Sequence, residues 1–391
     1  MHPKTDRKLN SSEFADLRRT VAIRSETRRN LVLDPGYATP MPREVSMQLT
    51  YRCNLRCDHC YQWSDQGFFH DFSKEKQRTE LDVDVVDRVL QATEETRAKV
   101  FLWGGEPLMH TRFAEISELL ARTPRTINMC TNGLMLERNL PHLLPLGPGL
   151  NLLVSLDGLG GDHEALRGRG TFPRTIRNIK TMLGLQRSGE FQGEISISCM
   201  VSDQTVGGMY EFMEWAEELG VNSVYFQFPW YISPPVAQSM DELYEKSFKW
   251  LDQPSPGAKP TWHSYTYRLN PDLIETLRGS MAKLAERTWR VRIRYQPQLE
   301  PDEVADFVLG TPQPAQQRSR CLAVSNRLEV HADGKVSSCK FFPEFVIGDL
   351  YANSVAEVWQ GEPFRRVREV LSGTGLMPVC SKCILLYLNG V

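Results

Sequence analysis

The alternation of short apolar strands with helical stretches between residues 44 and 228 constrains the fold more than any other feature. Six segments have the length and apolar character of buried strands: 45–50, 100–103, 126–130, 152–156, 195–201 and 221–228. Helical stretches such as 83–96 and 209–219 lie between most of them. Strands separated by helices pair in parallel, because each crossover helix returns the chain to the same end of the sheet. The pattern predicts an α/β fold built on a partial (βα)6 TIM-like barrel.

Residues 1–43 precede the barrel and are predicted to form an N-terminal helical arm. Phe14, Leu17 and Val21 fit one face of a helix. Prolines at 40 and 42 then interrupt the pattern, because proline breaks regular structure. The barrel itself is expected to cover 44–228.

Two further segments follow the predicted barrel. Residues 229–318 lose the alternation and are rich in aromatic side chains, so we interpret them as a bridge that covers the substrate. Residues 319–391 are expected to form a small C-terminal α+β module. Asp333-Gly334 between two short apolar segments predicts a β-hairpin there, and 355–371 is predicted to be helical.

Composition narrows the classes of function. The 391-residue chain has a formal net charge of -2, which argues against a nucleic acid as its main partner, because such binding needs a basic surplus. No apolar run reaches the roughly 20 residues that span a bilayer, and the polar N-terminus lacks the apolar core of a secretory signal. We therefore expect a cytoplasmic protein without a membrane partner. Its nine cysteines then indicate metal ligation or catalysis before disulfides.

Three of these cysteines form the spacing C-x3-C-x2-C directly after the first predicted strand. Cys53, Cys57 and Cys60 on one tight loop suit three irons of a [4Fe–4S] cluster, and the fourth iron stays open for a ligand. A structural zinc site is the alternative, but it needs four closed ligands, of which His59 could supply one. The position of the loop after a strand favours the cluster.

The run 51–61 resembles the signature of the radical S-adenosylmethionine (SAM) superfamily, and four later motifs follow in the order of that family. Most of them end a predicted strand: Gly104-Gly105-Glu106-Pro107, Thr131-Asn132-Gly133, Ser155-Leu156-Asp157-Gly158 and His163-Glu164-Ala165-Leu166-Arg167-Gly168. In parallel barrels the carboxyl ends of the strands carry the active site. The resemblance therefore implies a radical SAM enzyme with its cofactors at this end of the barrel.

The resemblance also implies how SAM is held. The backbone and carboxylate of Gly104, Gly105 and Glu106 would bind its amino group. Ser155 and Arg167 would bind its carboxylate, for which the guanidinium fork is well shaped. Taken singly, the glycines fit simple turns equally well, and Arg167 fits a surface ion pair.

Three further residues complete the SAM site that the resemblance implies. Main chain near Met200 and Val201 would contact the adenine. Asp157 is a weaker candidate, either for the ribose or for ordering neighbouring groups.

Four more cysteines fall in the terminal module. Cys321, Cys339 and the pair Cys380-x2-Cys383 resemble the SPASM/twitch module that follows many radical SAM barrels. No cysteine follows Cys383, so we expect the shorter form with one auxiliary [4Fe–4S] cluster on four thiolates. Zinc on the same four thiolates remains the alternative. Cys130 and Cys199, in predicted core strands, receive no function.

By this resemblance a flavodoxin or ferredoxin reduces the first cluster, and SAM is cleaved to methionine and a 5′-deoxyadenosyl radical that takes a hydrogen from the substrate. An auxiliary cluster that accepts an electron favours dehydrogenation of a small polyol or aminocyclitol in natural-product biosynthesis. A base must then take a proton. Tyr225 and Gln227 are candidates, because alternation puts them on one face of the sixth strand; Phe226 and Phe228 share the other.

Two alternatives remain open. The chain could modify a ribosomal peptide, by a cross-link or a changed side chain. Its arm is shorter than the leader-recognition domain that such relatives often carry, which favours the small molecule. The chain could also be a zinc-binding structural protein, but such a protein has no need of the Gly104–Pro107 motif, Ser155 or Arg167.

Overall fold

The computed structural model describes residues 3–9, 11–253, 255, 257, 259–312 and 317–391. Its strands are β1 Lys4–Thr5, β2 Glu44–Gln48, β3 Lys99–Trp103, β4 Ile127–Thr131, β5 Leu150–Ser155, β6 Glu194–Met200, β7 Ser223–Gln227, β8 Thr288–Trp289, β9 Arg292–Gln296, β10 Arg327–Val330, β11 Lys335–Ser337 and β12 Val346–Asp349. Ten of them form one sheet in the order β12-β11-β10-β2-β3-β4-β5-β6-β7-β9, whereas β1 pairs with β8.

The six predicted strands are confirmed as β2 to β7, which pair in parallel in chain order. Their outward-facing side chains, for example Val45, Met47 and Val100, are completely buried beneath the crossover helices. A seventh strand, β9, lies within the predicted bridge and pairs in parallel with β7. The TIM-like partial barrel is therefore confirmed and is one strand wider than expected.

The helices cover the outside of this sheet. They are α1 Ser11–Leu33, α2 Val83–Ala92, α3 Phe113–Arg122, α4 Leu140–Leu143, α5 Gly161–Arg167, α6 Thr171–Ser188, α7 Met209–Leu219, α8 Pro234–Ser247, α9 Ile274–Glu286, α10 Glu303–Leu309, α11 Ala323–Asn326, α12 Val355–Gln360, α13 Glu362–Thr374 and α14 Leu386–Asn389. The single helix predicted over 355–371 is two helices, α12 and α13, that meet at Gly361. None of the helices within the described residues combines the length and apolar character needed to cross a membrane.

The terminal module continues the sheet of the barrel. The predicted hairpin is confirmed: β10 and β11 are antiparallel around Asp333 and Gly334, and Gly334 takes the left-handed φ of +74° that favours glycine in such turns. On its other side β10 pairs in parallel with β2, the strand that leads into the three-cysteine loop. Sheet hydrogen bonds thus connect the two cysteine-bearing regions. Domain boundaries at 44, 229 and 319 stay predictions.

The arm helix α1 crosses the amino-terminal end of the barrel. Thr126 donates to Asp16 at 2.9 Å, and Lys99 donates to Thr20 at 3.1 Å. The predicted apolar face is on the surface instead of in the core, because α1 meets the barrel through its polar side. Phe14, Leu17 and Val21 are 53%, 50% and 55% exposed.

Candidate active site

The three-cysteine loop follows β2 at the carboxyl end of the barrel, as the sequence predicts. Backbone amides point at its sulfurs: Leu55 donates to Cys53 Sγ at 3.5 Å and Trp63 donates to Cys60 Sγ at 3.3 Å. Burial raises the pKa of Cys53 to about 12 and that of Cys57 to about 11. Such thiols ionise when a metal replaces the proton, so this donor set fits an iron–sulfur cluster.

The glycine motif after β3 packs directly on this loop. The amide of Gly105 donates to the carbonyl of Thr50 at 2.8 Å, and the amide of Glu106 donates to the carbonyl of Arg52 at 2.7 Å. A Cβ on Gly105 would collide with the Arg52 carbonyl, and one on Gly104 would collide with that of Thr50. The glycines are therefore needed for close approach of two backbones. Their predicted contact with the SAM amino group stays a prediction.

The Glu106 carboxylate is held by the end of β4 and by its own turn. Thr131 donates to Oε1 at 2.7 Å, the amide of Asn132 donates to Oε2 at 2.7 Å, and the amide of Leu108 donates to Oε1 at 3.1 Å. Burial raises the pKa of Glu106 to about 7, against the lowering effect of these bonds. This carboxyl thus joins the second and third motifs into one rigid floor beneath the cysteine loop.

Arg167 forms its ion pair with Asp157, not with a group beside Ser155. Nε of Arg167 donates to Oδ2 of Asp157 at 2.6 Å, and Nε2 of His59 donates to the same oxygen at 2.9 Å. Burial raises the pKa of Asp157, but Arg167 and His59 outweigh it and hold this pKa below its usual range. Nη1 of Arg167 lies 3.7 Å from Cys57 Sγ. The motif 163–168 therefore places a fixed cation beside the cysteine loop.

The remaining predicted SAM contacts lie close to this ion pair. The amide of Met200 donates to Oδ1 of Asp157 at 2.7 Å, and its carbonyl accepts from Thr205 at 2.7 Å. Val201 is completely buried, with its amide bonded to the carbonyl of Gln227. Ser155 and Met200 line the barrel cavity described next. The predicted contact of Ser155 with the SAM carboxylate and that of this main chain with the adenine stay predictions.

The interior of the barrel is a polar cavity, in contrast to the apolar packed core of a complete barrel. The register of β5, β6, β7 and β9 puts Ser155, Ser198, Tyr225 and Arg294 in one row across it. The rows on either side also contribute polar lining side chains: Ser196, Arg292, Gln227 and Gln296. The sequence left open which face of β7 points into the barrel. Tyr225 and Gln227 face this cavity as alternate residues, whereas Phe226 packs in the core.

The four cysteines of the terminal module line a separate pocket. Cys321, Cys339, Cys380 and Cys383 share it with apolar side chains such as Phe341. Burial raises the pKa of all four thiols. Within the described part of the chain no three Cys, His, Asp or Glu side chains converge on the position of a single metal ion. Four cysteine thiolates are the usual ligand set of a [4Fe–4S] cluster, so this donor set fits one.

Aromatic rings fill the space between the two cysteine sets. Tyr61, next to Cys60, stacks on Tyr265 with the ring centroids 4.7 Å apart. Tyr265 in turn lies 4.7 Å from Trp230, whose ring meets Phe341 of the terminal module at 4.5 Å. The bridge segment thus contributes an aromatic wall between the two sites.

Several cavity residues were not predicted as functional. Cys130 lines the cavity, and its alternation with Asn128 on β4 was a signal for this orientation. Tyr267 and Arg294 come from the bridge and Tyr387 from α14. Lys340 reaches the cavity from the terminal module, with its ammonium 3.6 Å from the ring centre of Phe101. No sequence signal pointed to these last residues, since tertiary packing alone brings them to the barrel.

Comparison with known proteins gives a match on each side of the bridge. Residues 47–225 match the Radical SAM superfamily, and residues 321–384 match the iron–sulfur cluster-binding domain SPASM. The first match contains the three-cysteine loop and the second contains the other four ligand cysteines. The matches confirm the radical SAM and SPASM-type interpretation and imply [4Fe–4S] clusters and SAM as cofactors. They favour iron–sulfur over zinc at both sites.

Three relatives illustrate what the chain is similar to. The antilisterial bacteriocin subtilosin biosynthesis protein AlbA of Bacillus subtilis is 23% identical over 365 residues, which are 90% of this chain and 68% of AlbA. The AdoMet-dependent heme synthase of Methanosarcina barkeri is 24% identical over 348 residues, 88% of this chain and 89% of the synthase. The structure of Streptococcus suis SuiB bound to precursor peptide SuiA covers 92% of this chain and 72% of SuiB, with a TM-score of 0.58 at 13% identity. This last likeness shows the fold alone.

Proposed function

Because the chain belongs to the radical SAM superfamily and carries a SPASM iron–sulfur domain, we propose that it is a maturase that forms a cross-link or alters a side chain in a ribosomally made peptide. The observation that carries this proposal is the match to AlbA, a bacteriocin biosynthesis protein, over 90% of the chain. A match of that extent includes the bridge, whose Tyr265, Tyr267 and Arg268 line the cavity. This reverses the expected preference for a small polyol.

The residues divide the work in this proposal. Cys53, Cys57 and Cys60 hold the first cluster, which with SAM supplies a hydrogen-abstracting radical. Asp157 fixes Arg167 by their ion pair, so that the guanidinium is ready to take a carboxylate without rearrangement. The aromatic wall helps to exclude water from the reacting groups. A flavodoxin or ferredoxin is the proposed reductant.

Tyr225 is the better of the two candidates for holding a proton. Gln227 has an amide side chain, which does not take a proton near neutral pH, and its Oε1 already accepts from Ser198 at 3.0 Å. The Tyr225 phenol can both donate and accept. In this proposal Tyr225 moves a proton at the substrate, and Gln227 positions Ser198.

A second candidate function is a radical reaction on a small molecule. The heme synthase match favours it, because that match also spans most of both proteins. Oxidation of a polyol or aminocyclitol stays a prediction.

The experiment is a competition between substrate classes on the anaerobically reconstituted protein. Short peptides encoded beside the gene, amino sugars and porphyrins are each incubated with SAM and a reductant, and products are read by mass spectrometry. We expect a peptide that loses hydrogen atoms in step with 5′-deoxyadenosine formation. Turnover of an amino sugar or porphyrin, with every peptide unchanged, would reject the proposal.

A further inference from the structure

We propose that Arg294 forms a carboxylate-binding subsite on the wall of the barrel cavity, for the side chain of an aspartate or glutamate of the substrate peptide. The identity of the ligand, a peptide side chain, rests on the proposed function. The position of Arg294 in the cavity does not depend on it. Arg294 lies on β9, inside the bridge, and faces the cavity with Tyr225 beside it on β7. Nothing in the radical SAM motifs involves this strand.

Three other cations of the cavity wall have anionic partners, whereas Arg268 and Lys340 lie over aromatic rings. Arg292, two residues earlier, pairs with Glu13 of α1 at 3.1 Å. Lys99 lies 3.5 Å from Asp16, and Arg167 is held by Asp157. Arg294 differs: it makes no ion pair or hydrogen bond with any of the residues that the structure describes. The Arg294 side chain is exposed to the cavity, so its guanidinium fork is open to an anionic ligand such as a carboxylate.

The position of Arg294 excludes the carboxylate of SAM as this ligand. Ser155 and Arg294 belong to the same row of inward side chains but lie three strands apart. Neighbouring strands are about 4.8 Å apart, so roughly 14 Å of sheet separates the two. Arg294 therefore lies on a different part of the cavity wall from Ser155, the predicted contact of the SAM carboxylate.

Two phenols complete the subsite. Tyr225 is the register partner of Arg294, and Tyr387 of α14 lines the same part of the cavity. Arg294 and Tyr225 both influence the pKa of Tyr387, which burial raises above its usual value. A guanidinium fork with two phenol hydroxyls near it matches a planar carboxylate, which accepts several hydrogen bonds at once.

The test measures binding, with two probes that differ only in charge. An acetylated hexapeptide of alternating glycine and glutamate is compared with its glycine–glutamine counterpart on the reconstituted protein with SAM, by equilibrium dialysis at 150 mM salt. We expect the acidic peptide to bind about tenfold more tightly. Arg294→Gln should remove this preference, and Arg294→Lys should keep part of it, since lysine keeps the charge but loses the fork.

The matched control is Arg290→Gln, four residues earlier and on the surface, with its side chain 72% exposed. It should leave the preference unchanged. Arg290→Gln should also still cleave SAM without substrate, because Arg290 does not touch the cysteine loop. A preference that is absent in the native protein, or that survives in Arg294→Gln, overturns the subsite.

A second pair of probes, glutarate and glutaramide, separates this inference from the proposed function. If neither hexapeptide binds but glutarate is preferred in an Arg294-dependent way, the carboxylate subsite stands and the peptide substrate falls. If both hexapeptides bind equally well, the peptide substrate stands and the subsite falls. Equal binding of glutarate and glutaramide, with no binding of either peptide, rejects both.

Discussion

The two cysteine sites of this protein are built in opposite ways. The first takes its three thiols from one loop, held by backbone bonds to the Gly104–Glu106 segment and bordered by the Arg167 cation. The second gathers four thiols from Cys321 to Cys383, in an apolar pocket of its own. The first is one ligand short and opens on the polar cavity. A site with a spare coordination position suits chemistry, whereas a closed four-thiolate site suits electron transfer or structural support.

Cys57→Ala should have the largest effect on the first cysteine site. Cys57→Ala removes one of the three cluster ligands, and no further cysteine of this loop can replace it. We therefore expect cleavage of SAM to fall to background while the fold is kept. The measurement is 5′-deoxyadenosine by chromatography, with circular dichroism for the fold. Cys199→Ala is the matched control, since Cys199 is also buried but lies outside both cysteine sets; it should retain cleavage. Normal cleavage by Cys57→Ala would remove the basis of the radical SAM assignment of this loop.

The second site should fail differently. With Cys380 and Cys383 both changed to Ala, we expect iron to fall from about eight to about four atoms per chain. SAM cleavage without substrate should stay within about twofold of normal, whereas product formation is lost. Ser381→Ala, between the two cysteines, controls for local disturbance. Normal product from the double variant would show that the auxiliary cluster is not an obligatory electron acceptor.

Asp157→Asn tests whether the cation beside the first site depends on its buried partner. Leaving the buried Arg167 unpaired should lower the free energy of unfolding by about 3–5 kcal/mol. Because the pKa of Asp157 is held below its usual value, its contribution is complete above about pH 4 and is lost as the pH falls further. The difference between variant and native protein in urea unfolding should therefore stay constant from pH 8 to about pH 5.

The control for this pair is Asp162→Asn, an exposed carboxylate in the first turn of α5, which should cost no more than about 1 kcal/mol. If the difference caused by Asp157→Asn already shrinks between pH 7 and pH 5, the pKa of Asp157 is not lowered and the ion pair is weaker than its geometry indicates.

The smallest effect concerns the support of the first loop. Gly105→Ala pushes a Cβ into the Arg52 carbonyl, so we expect a loss of about 1–3 kcal/mol and of iron at the first site alone. Gly207→Ala, where a Cβ meets nothing within 4 Å, is the matched control. Iron analysis in the Cys380 and Cys383 double-variant background isolates the first site. Unchanged iron there would mean that the loop does not need this close backbone contact.

The difference between the sites also explains what the sequence could predict. The ligands of the first site lie within one short loop, and its motifs end strands that hydrophobic alternation reveals. The parallel strands β2 to β7 were predictable for the same reason, because their pairing partners are neighbours in the chain. The ligand cysteines of the second site could be recognised by resemblance, but not their apolar pocket.

Non-local packing accounts for what could not be predicted. The pairing of β9 with β7 and of β10 with β2 joins segments far apart in sequence, where periodicity carries no information. The helical pattern of Phe14, Leu17 and Val21 identified a helix but not the face by which it contacts the barrel. Arg294 and Tyr387 reached the candidate site by the same kind of packing, so their roles could be proposed only from the structure.

The parallel pairing of β10 with β2 has a consequence for how the chain is made. During synthesis β2 emerges before any other barrel strand, yet its neighbour β10 emerges after the rest of the barrel. Until then β2 carries a row of unsatisfied amide and carbonyl groups, which invite pairing with other chains. A truncated protein that ends at residue 318 would lack β10, so this edge of β2 would stay unpaired. We expect this truncated protein to aggregate. The terminal module would then have two roles: it carries the second cysteine set, and its strand β10 covers the exposed edge of β2.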